Sequence, residues 1–281
     1  TGGTGMLGSS LASYLKIAGF KTIIQGYKIK TDINIDMTDQ KSVSNILDLY
    51  SPDIIINLVC LSDVEENERN TDLAYSLNVK PVENITHWIK NNNEEVKFIH
   101  ISTDHVYNKD GLNKEEDVRI LNGYASSKFE AEKVASKVNS LILRTNFFGK
   151  SKLQDRPSFT DWLDISINEN RFPINLFKDV FFSPLSITTL SKMIHHVLGY
   201  RHTGIFNLGS RNGLSKADFA YSYSSFLKHN KFNTKLISVD DLNFCATRPK
   251  GMMMDVSKFE RLFDIQLPTL ESEIESYLKE K

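Results

Sequence analysis

The chain has 281 residues, with 34 Lys or Arg against 35 Asp or Glu and a formal net charge of −1. That balance gives no basic field for nucleic acid. The two cysteines, Cys60 and Cys245, rule out a disulfide framework and suit a reducing, cytoplasmic setting, and no apolar run reaches the roughly 18 residues of a membrane span.

In chain order, Thr1-Gly2-Gly3-Thr4-Gly5-Met6-Leu7-Gly8 fits G-x-x-G-x-x-G through Gly2, Gly5 and Gly8. It also fits G-x-G-x-x-G through Gly3, Gly5 and Gly8. Glycines there let a pyrophosphate approach the backbone, and a following helix offers free N–H groups and a positive dipole end. Taken alone, the motif is weak evidence, with a plain tight turn as the rival reading. A short apolar strand is expected ahead of Thr1, because the motif sits between a strand and a helix. Leu7 to Ala18 reads as that helix, stopped by Gly19, and Lys21 to Gln25 as a strand. An NAD site would carry an acid about 20 residues past the glycines. Gln25 to Lys30 has none; Lys28 and Lys30 suit the 2′-phosphate of NADP, or are solvated surface.

Lys41 to Tyr50 is helical and ends at Ser51-Pro52. The apolar run Ile54 to Val59 has the pattern of a strand covered on both faces. A helix lies within Asp72 to Asn91; Val96 to Ser102 is a strand, Tyr124 to Lys137 a helix and Ser140 to Thr145 a strand. Residues 151–183 are mixed; Ile187 to Leu198 is a helix, Gly204 to Gly209 a strand, and Ser215 to Lys228 and Leu270 to Lys279 are helices. This alternation predicts an α/β fold, a Rossmann-like doubly wound parallel sheet, with a smaller α+β substrate-binding domain. At roughly 150 residues per domain, residues 1–150 form the NAD(P)-binding domain, with 184–204 returning to it. Residues 151–183 and 205–281 form the substrate-binding domain. Ligands of such sheets sit at the carboxyl ends of the strands, where Ser102-Thr103-Asp104 falls.

Tyr124 and Lys128 share a helical face. A nearby ammonium lowers a phenol pKa from about 10 towards neutrality and makes it a proton donor to a carbonyl that receives hydride. Tyr277 and Lys281 repeat the spacing without such a context. A hydroxyl from Ser102-Thr103-Asp104 could bind the same carbonyl oxygen.

With these residues the chain resembles the extended short-chain dehydrogenase/reductase superfamily, and within it the dTDP-4-dehydrorhamnose reductase family. The resemblance runs through Thr1 to Gly8, Asp36-Met-Thr-Asp39, Pro52 to Asn57, Ser102 to Tyr107, Tyr124 to Lys128 and Leu143-Arg144-Thr145. It continues through Asp179 to Pro184, Arg248-Pro249 and Asp255-x-x-Lys258-Phe259. It implies reduction of the 4-keto group of a nucleotide-activated 6-deoxyhexose with NADP(H), or alternatively NAD(H), in polysaccharide precursor synthesis. Tyr124 is then the proton donor, Lys128 holds the nicotinamide ribose, and Thr103 is the hydroxyl partner. Cofactor contacts would be Gly2, Gly5, Met6, Leu7, Gly8, Lys28, Asp36, Met37, Asn57, Leu58, Val59, Ser102, Lys128 and Thr145. Substrate contacts would be Thr103, Asp104, Tyr124, Asn146 and Arg248, the last for phosphate oxygens. The partner implied is a nucleotide sugar, with no nucleic acid, membrane or metal; a homodimer is the assembly to look for.

Departures surround the substrate: His105 stands where the family usually has Tyr, Leu58-Val59-Cys60 replaces small residues, the segment to Glu68 is acidic, and Phe181-Phe182-Ser183 replaces a Gly-x-Pro-Thr neighbourhood. The sugar and the nucleotide stay open. So do two rivals: an epimerase or dehydratase of the same superfamily, and a non-catalytic subunit resembling the methionine adenosyltransferase regulatory subunit. Elsewhere, Cys60 reads as a packed thiol, Asp63, Glu65, Glu66 and Glu68 as a solvated helix start, and His195-His196 as one packed and one solvated ring. Met252 to Met254 read as strand or core filler, and Trp88 and Trp162 as lacking a stacking ladder.

Overall fold

The structure, a computed structural model, describes residues 1–151, 157–168, 173–227 and 233–281. Helix α1 (Met6–Ile17) buries Leu7, Leu11 and Leu15 on one face. Strands β1 (Gln25–Gly26) and β2 (Ile33–Asn34) form a short parallel ladder. Helix α2 (Gln40–Tyr50) is capped by Asp39, which accepts from Ser42 N, and ends where Ser51 turns to φ 42°. Strand β3 (Ile54–Asn57) leads to α3 (Val64–Arg69), α4 (Thr71–Asn78) and α5 (Lys80–Asn92). The helical stretch within Asp72–Asn91 thus breaks at Val79, because Pro81 has no N–H for the preceding turn. The chain continues through β4 (Lys97–Thr103), α6 (Gly123–Ala135), β5 (Ser140–Thr145), β6 (Phe147–Phe148), α7 (Phe159–Asn168), β7 (Ile174–Phe177), β8 (Phe181–Phe182) and β9 (Leu185–Ser186). It ends with α8 (Ile187–Val197), β10 (Gly204–Leu208), β11 (Leu214–Ser215), α9 (Lys216–Phe226), β12 (Thr234–Ile237), α10 (Ser257–Leu262) and α11 (Leu270–Glu280). Lys228, the expected end of one helix, lies outside the described residues.

The expected doubly wound sheet is present as four parallel strands in the order β10-β5-β4-β3. Alternate side chains feed opposite faces. Ile99, Ile101, Leu141, Leu143 and Phe206 pack with α1 and α8 in one core. Phe98, Ile142 and Ile55 pack with α2, α5 and α6 in another. A third core joins α7, β7, α9 and α11 through Leu163, Leu176, Phe219, Tyr223 and Ile274.

Three expectations change. Of Lys21–Gln25 only Gln25 pairs as strand. Residues 22–24 and β3 instead line an apolar cavity of about 530 Å³. Thr1–Gly3 binds both sides: Thr1 N donates to Ile56 O (2.7 Å) and Gly3 N to Gln25 O (2.9 Å). The stretch from 205 onward, placed as a whole in the substrate-binding domain, divides: β10 pairs with β5 in the main sheet, and Val256, Phe259 and Phe263 join the core of α1 and α8. Both histidines have partners: His195 packs edge-on to Tyr14 and Phe20, and His196 Nε2 lies 2.7 Å from Phe263 O. Met252 and Met254 are core, as read. Among the described residues no helix is long and apolar enough to cross a membrane.

Candidate active site

The glycine turn is a backbone cradle closed to side chains. Gly2 has φ 67°, and a Cβ on it would lie 2.8 Å from Leu58 C and Val59 N. A Cβ on Gly8 would meet Gly2 O at 2.4 Å. Gly5 caps α1 without a side chain. The first-turn N–H groups of Met6, Leu7 and Gly8 therefore remain for an anion, as a dinucleotide pyrophosphate requires. Asn57, beside it, works as an organiser: its Oδ1 accepts from Thr1 Oγ1 (2.7 Å) and Val59 N (3.3 Å), and its Nδ2 meets His100 Nδ1 at 3.2 Å. Asp36 is exposed and accepts from Thr38 N and Oγ1, each at 2.8 Å. Met37 is buried, with its carbonyl held by Asn84 (2.9 Å). Lys28 is exposed.

At the carboxyl end of β4, Thr103 is buried and its Oγ1 accepts from His105 N (3.1 Å). Opposite it, α6 begins under tight control. Asn122 caps the helix by accepting from Ala125 N (2.8 Å) and donates to Thr247 O (2.8 Å). Gly123 N donates to Glu68 (2.6 Å). These bonds aim Tyr124, whose phenol interacts with Thr103 and with Cys60. The His105 ring stands edge-on to the Tyr124 ring at 5.3 Å. Lys128 is buried, one turn on, and donates to Ile101 O (2.6 Å).

Burial, then Cys60 and Asp104, holds the Tyr124 phenol well above its ordinary pKa, against the pull of the Thr103 hydroxyl. The i,i+4 spacing had suggested the reverse. The Lys128 ammonium is bound to a carbonyl, so desolvation of the phenolate decides the direction. Ser102, named among the cofactor contacts, turns the other way: its hydroxyl donates to Glu132 (2.5 Å), which also pairs with buried Arg144 (2.7 Å). Thr145 is buried at the end of β5.

Next to Thr103, Asp104 accepts from Asn146 Nδ2 (2.7 Å). Burial pushes its carboxyl up to about 6, against the pull of Asn146 and Lys216. Burial, Lys216 and Arg248 push His105 down to about 3, so its ring is neutral. Arg248, expected to face phosphate, is ion-paired with Glu65 (2.9 Å). The acidic run is therefore no plain solvated helix start. Asp63 caps α3, Glu65 also accepts from Cys245 N (2.9 Å), and Glu68 fixes the start of α6. Cys60 is half-buried beside the phenol rather than packed away. Trp162 does stack, on Phe159 at 5.9 Å.

Sequence reasoning missed Glu65, Glu68, the Cys60 contact and Lys216. The acids carried a weak signal, since an acidic run directly after a strand end lies at the ligand side of such a sheet. Lys216 carried none: its place depends on β11 pairing with β8, 32 residues away.

The family model described as RmlD substrate binding domain matches residues 1–281. The chain is 26% identical to the probable low-salt glycan biosynthesis reductase Agl14 of Haloferax volcanii, over 98% of this chain and 94% of that one. It is 27% identical to a dTDP-4-dehydrorhamnose reductase of Aggregatibacter actinomycetemcomitans, over 95% and 92%. It shares its fold with a crystal structure of dTDP-4-dehydrorhamnose reductase from Bacillus anthracis in complex with NADP. That match has a TM-score of 0.88 and 24% identity, over 100% of this chain and 97% of that one.

Proposed function

The chain belongs to the family of the RmlD substrate binding domain, and on that premise we propose that it reduces the 4-keto group of a nucleotide-activated 6-deoxyhexose in polysaccharide precursor synthesis. NADP(H) is the favoured cofactor and NAD(H) the alternative. When bound, the nicotinamide supplies the hydride that adds to the carbonyl carbon. The observation that carries the reading is the Tyr124–Thr103 pair at the carboxyl end of β4, next to the glycine cradle.

Met6, Leu7 and Gly8 would hold the pyrophosphate through backbone N–H groups, and Lys28 suits a 2′-phosphate. Asn57 keeps Leu58 and Val59 against the cradle by accepting from Val59 N. Thr103 and Tyr124 converge on one point, where the substrate carbonyl oxygen is held by two hydroxyls. The raised pKa keeps Tyr124 protonated at neutral pH, which is the state a proton donor needs. As the alkoxide forms, Tyr124 Oη gives it its proton. Lys128, fixed by Ile101 O, stands one helical turn away and favours the phenolate left behind. Support for the activity comes from the reductase relatives that align over nearly the whole chain.

The test is a spectrophotometric screen of NADPH and NADH oxidation against dTDP-, GDP-, UDP- and CDP-linked 4-keto-6-deoxyhexoses. Oxidation matched to alcohol formation is expected for at least one of them. Interconversion of sugars without net cofactor consumption would point to an epimerase, and loss of water to a dehydratase.

A further inference from the structure

One buried titratable group plays no part in the chemistry above. His100 lies on β4, an interior strand of the main sheet, in register with Asn57 of β3. It is buried and shares with Phe98, at 6.4 Å between ring centres, the face of the sheet opposite to Ile99 and Ile101. Its Nδ1 lies 3.2 Å from Asn57 Nδ2. Its Nε2 is buried and has no hydrogen-bond partner among the described residues. The partners fix which atom donates. Val59 N–H can only donate, so the Asn57 atom 3.3 Å from it is the oxygen. The Asn57 amide nitrogen, a donor, then faces Nδ1, so Nδ1 accepts and the ring proton sits on Nε2. Burial, then Lys128, holds the ring well below the usual histidine pKa, which keeps Nδ1 an acceptor at neutral pH.

The amide held in this way joins two segments at the glycine turn. Asn57 Oδ1 accepts from Thr1 Oγ1 (2.7 Å) and from Val59 N (3.3 Å), and Leu58 N donates to Thr1 O (3.2 Å). Gly2 follows, and a Cβ on it would lie 2.8 Å from Leu58 C and Val59 N. The turn and Leu58–Val59 thus meet with no room for a methyl group, and a rotation of the Asn57 amide passes directly to the turn. Packing alone does not account for His100. A buried donor without a partner costs stability, and an apolar side chain would fill the same place without one. What an apolar side chain could not do is orient the Asn57 amide.

We propose that His100 is a positioning residue for the dinucleotide: through the Asn57 amide it fixes the spacing between the glycine turn and Leu58–Val59. This rests on the cofactor half of the reductase reading. His100→Leu and His100→Phe remove the acceptor, whereas His100→Asn keeps one near the place of Nδ1. NADPH affinity is read by fluorescence titration, and kcat and sugar KM at saturating NADPH. The apolar variants should weaken NADPH binding about tenfold and leave kcat and sugar KM within about twofold of wild type. If only one of them folds, it carries the comparison. His100→Asn should recover affinity to within about threefold of wild type. Wild-type affinity in a folded apolar variant would overturn the proposal. So would equal weakening in His100→Asn, which would make the ring a packing group. NADPH binding by wild type without turnover of any keto-sugar would end the reductase reading and leave this test standing. If wild type binds neither NADPH nor NADH, the cofactor reading fails, and hydrogen exchange at the Leu58 and Val59 amides decides whether His100 sets the turn. Exchange about tenfold faster in the apolar variants but not in His100→Asn supports that role, and unchanged exchange overturns it.

Discussion

On the β4–α6 side of the site, Thr103, Tyr124 and Lys128 are held by partners on β4, the turn that follows it and α3. On the facing side, Arg248 is fixed through Glu65, 183 residues away in sequence. The first side carries its functional groups at a short helical interval, Tyr124 to Lys128, and is aimed by Glu68 and by the Asn122 bond to Thr247. The second is assembled from distant segments, and by the proposed reading it is there that the sugar and nucleotide are read. By that reading, the groups for the chemistry come at short spacing in the chain, while the residues proposed to select the substrate are brought in by tertiary pairing.

The contrast can be broken most forcefully at Tyr124. Tyr124→Phe should lower kcat by about three orders of magnitude with cofactor affinity unchanged, measured by NADPH oxidation and by fluorescence titration. Retained turnover would move the proton donor elsewhere. Beneath that side, Glu132 and Arg144 form an ion pair only 1% exposed on each side chain. Glu132→Gln leaves Arg144 without its counter-charge and should cost about 3 kcal/mol in denaturant unfolding. Gly2→Ala should weaken NADPH binding about tenfold or more, since the added Cβ meets backbone at 2.8 Å where φ is positive. Glu65→Gln probes the facing side: freeing Arg248 and the Cys245 loop should raise substrate KM about fivefold and leave kcat nearly unchanged.

The smallest effect concerns pH. Asp104 titrates at about 6 in the fold against an ordinary value of 3.8. The folded state thus keeps a proton that the unfolded chain has already released, and stability from this group falls as pH rises from about 4 to 6. His105 acts in the opposite sense, since its depressed pKa costs stability as pH falls below its ordinary 6.5. The difference between Asp104→Asn and wild type isolates the first slope: across that window the wild type should lose stability relative to the variant, read by thermal unfolding at stepped pH.

The local side was legible in the chain. The glycine spacing, the strand end at Ser102–Asp104 and the Tyr124–Lys128 interval each depend on neighbours within a turn or two, and the parallel sheet followed from alternating periodicity. What escaped depended on burial and on long-range pairing. Spacing alone put an ammonium next to a phenol, yet desolvation sets the direction of the Tyr124 shift. The acids of 63–68 looked solvated because nothing near them in sequence says that Cys245 N and Gly123 N would point at them. The strand at 204–208 looked like part of the second unit because only its pairing with β5 returns it to the first.

The central claim is net reduction at the Tyr124–Thr103 point, and cofactor stoichiometry tests it most directly. NADPH consumed and 4-hydroxy sugar nucleotide formed should rise together, mole for mole, with wild-type enzyme and a 4-keto-6-deoxyhexose nucleotide. Sugar conversion with the NADPH pool unchanged would contradict it.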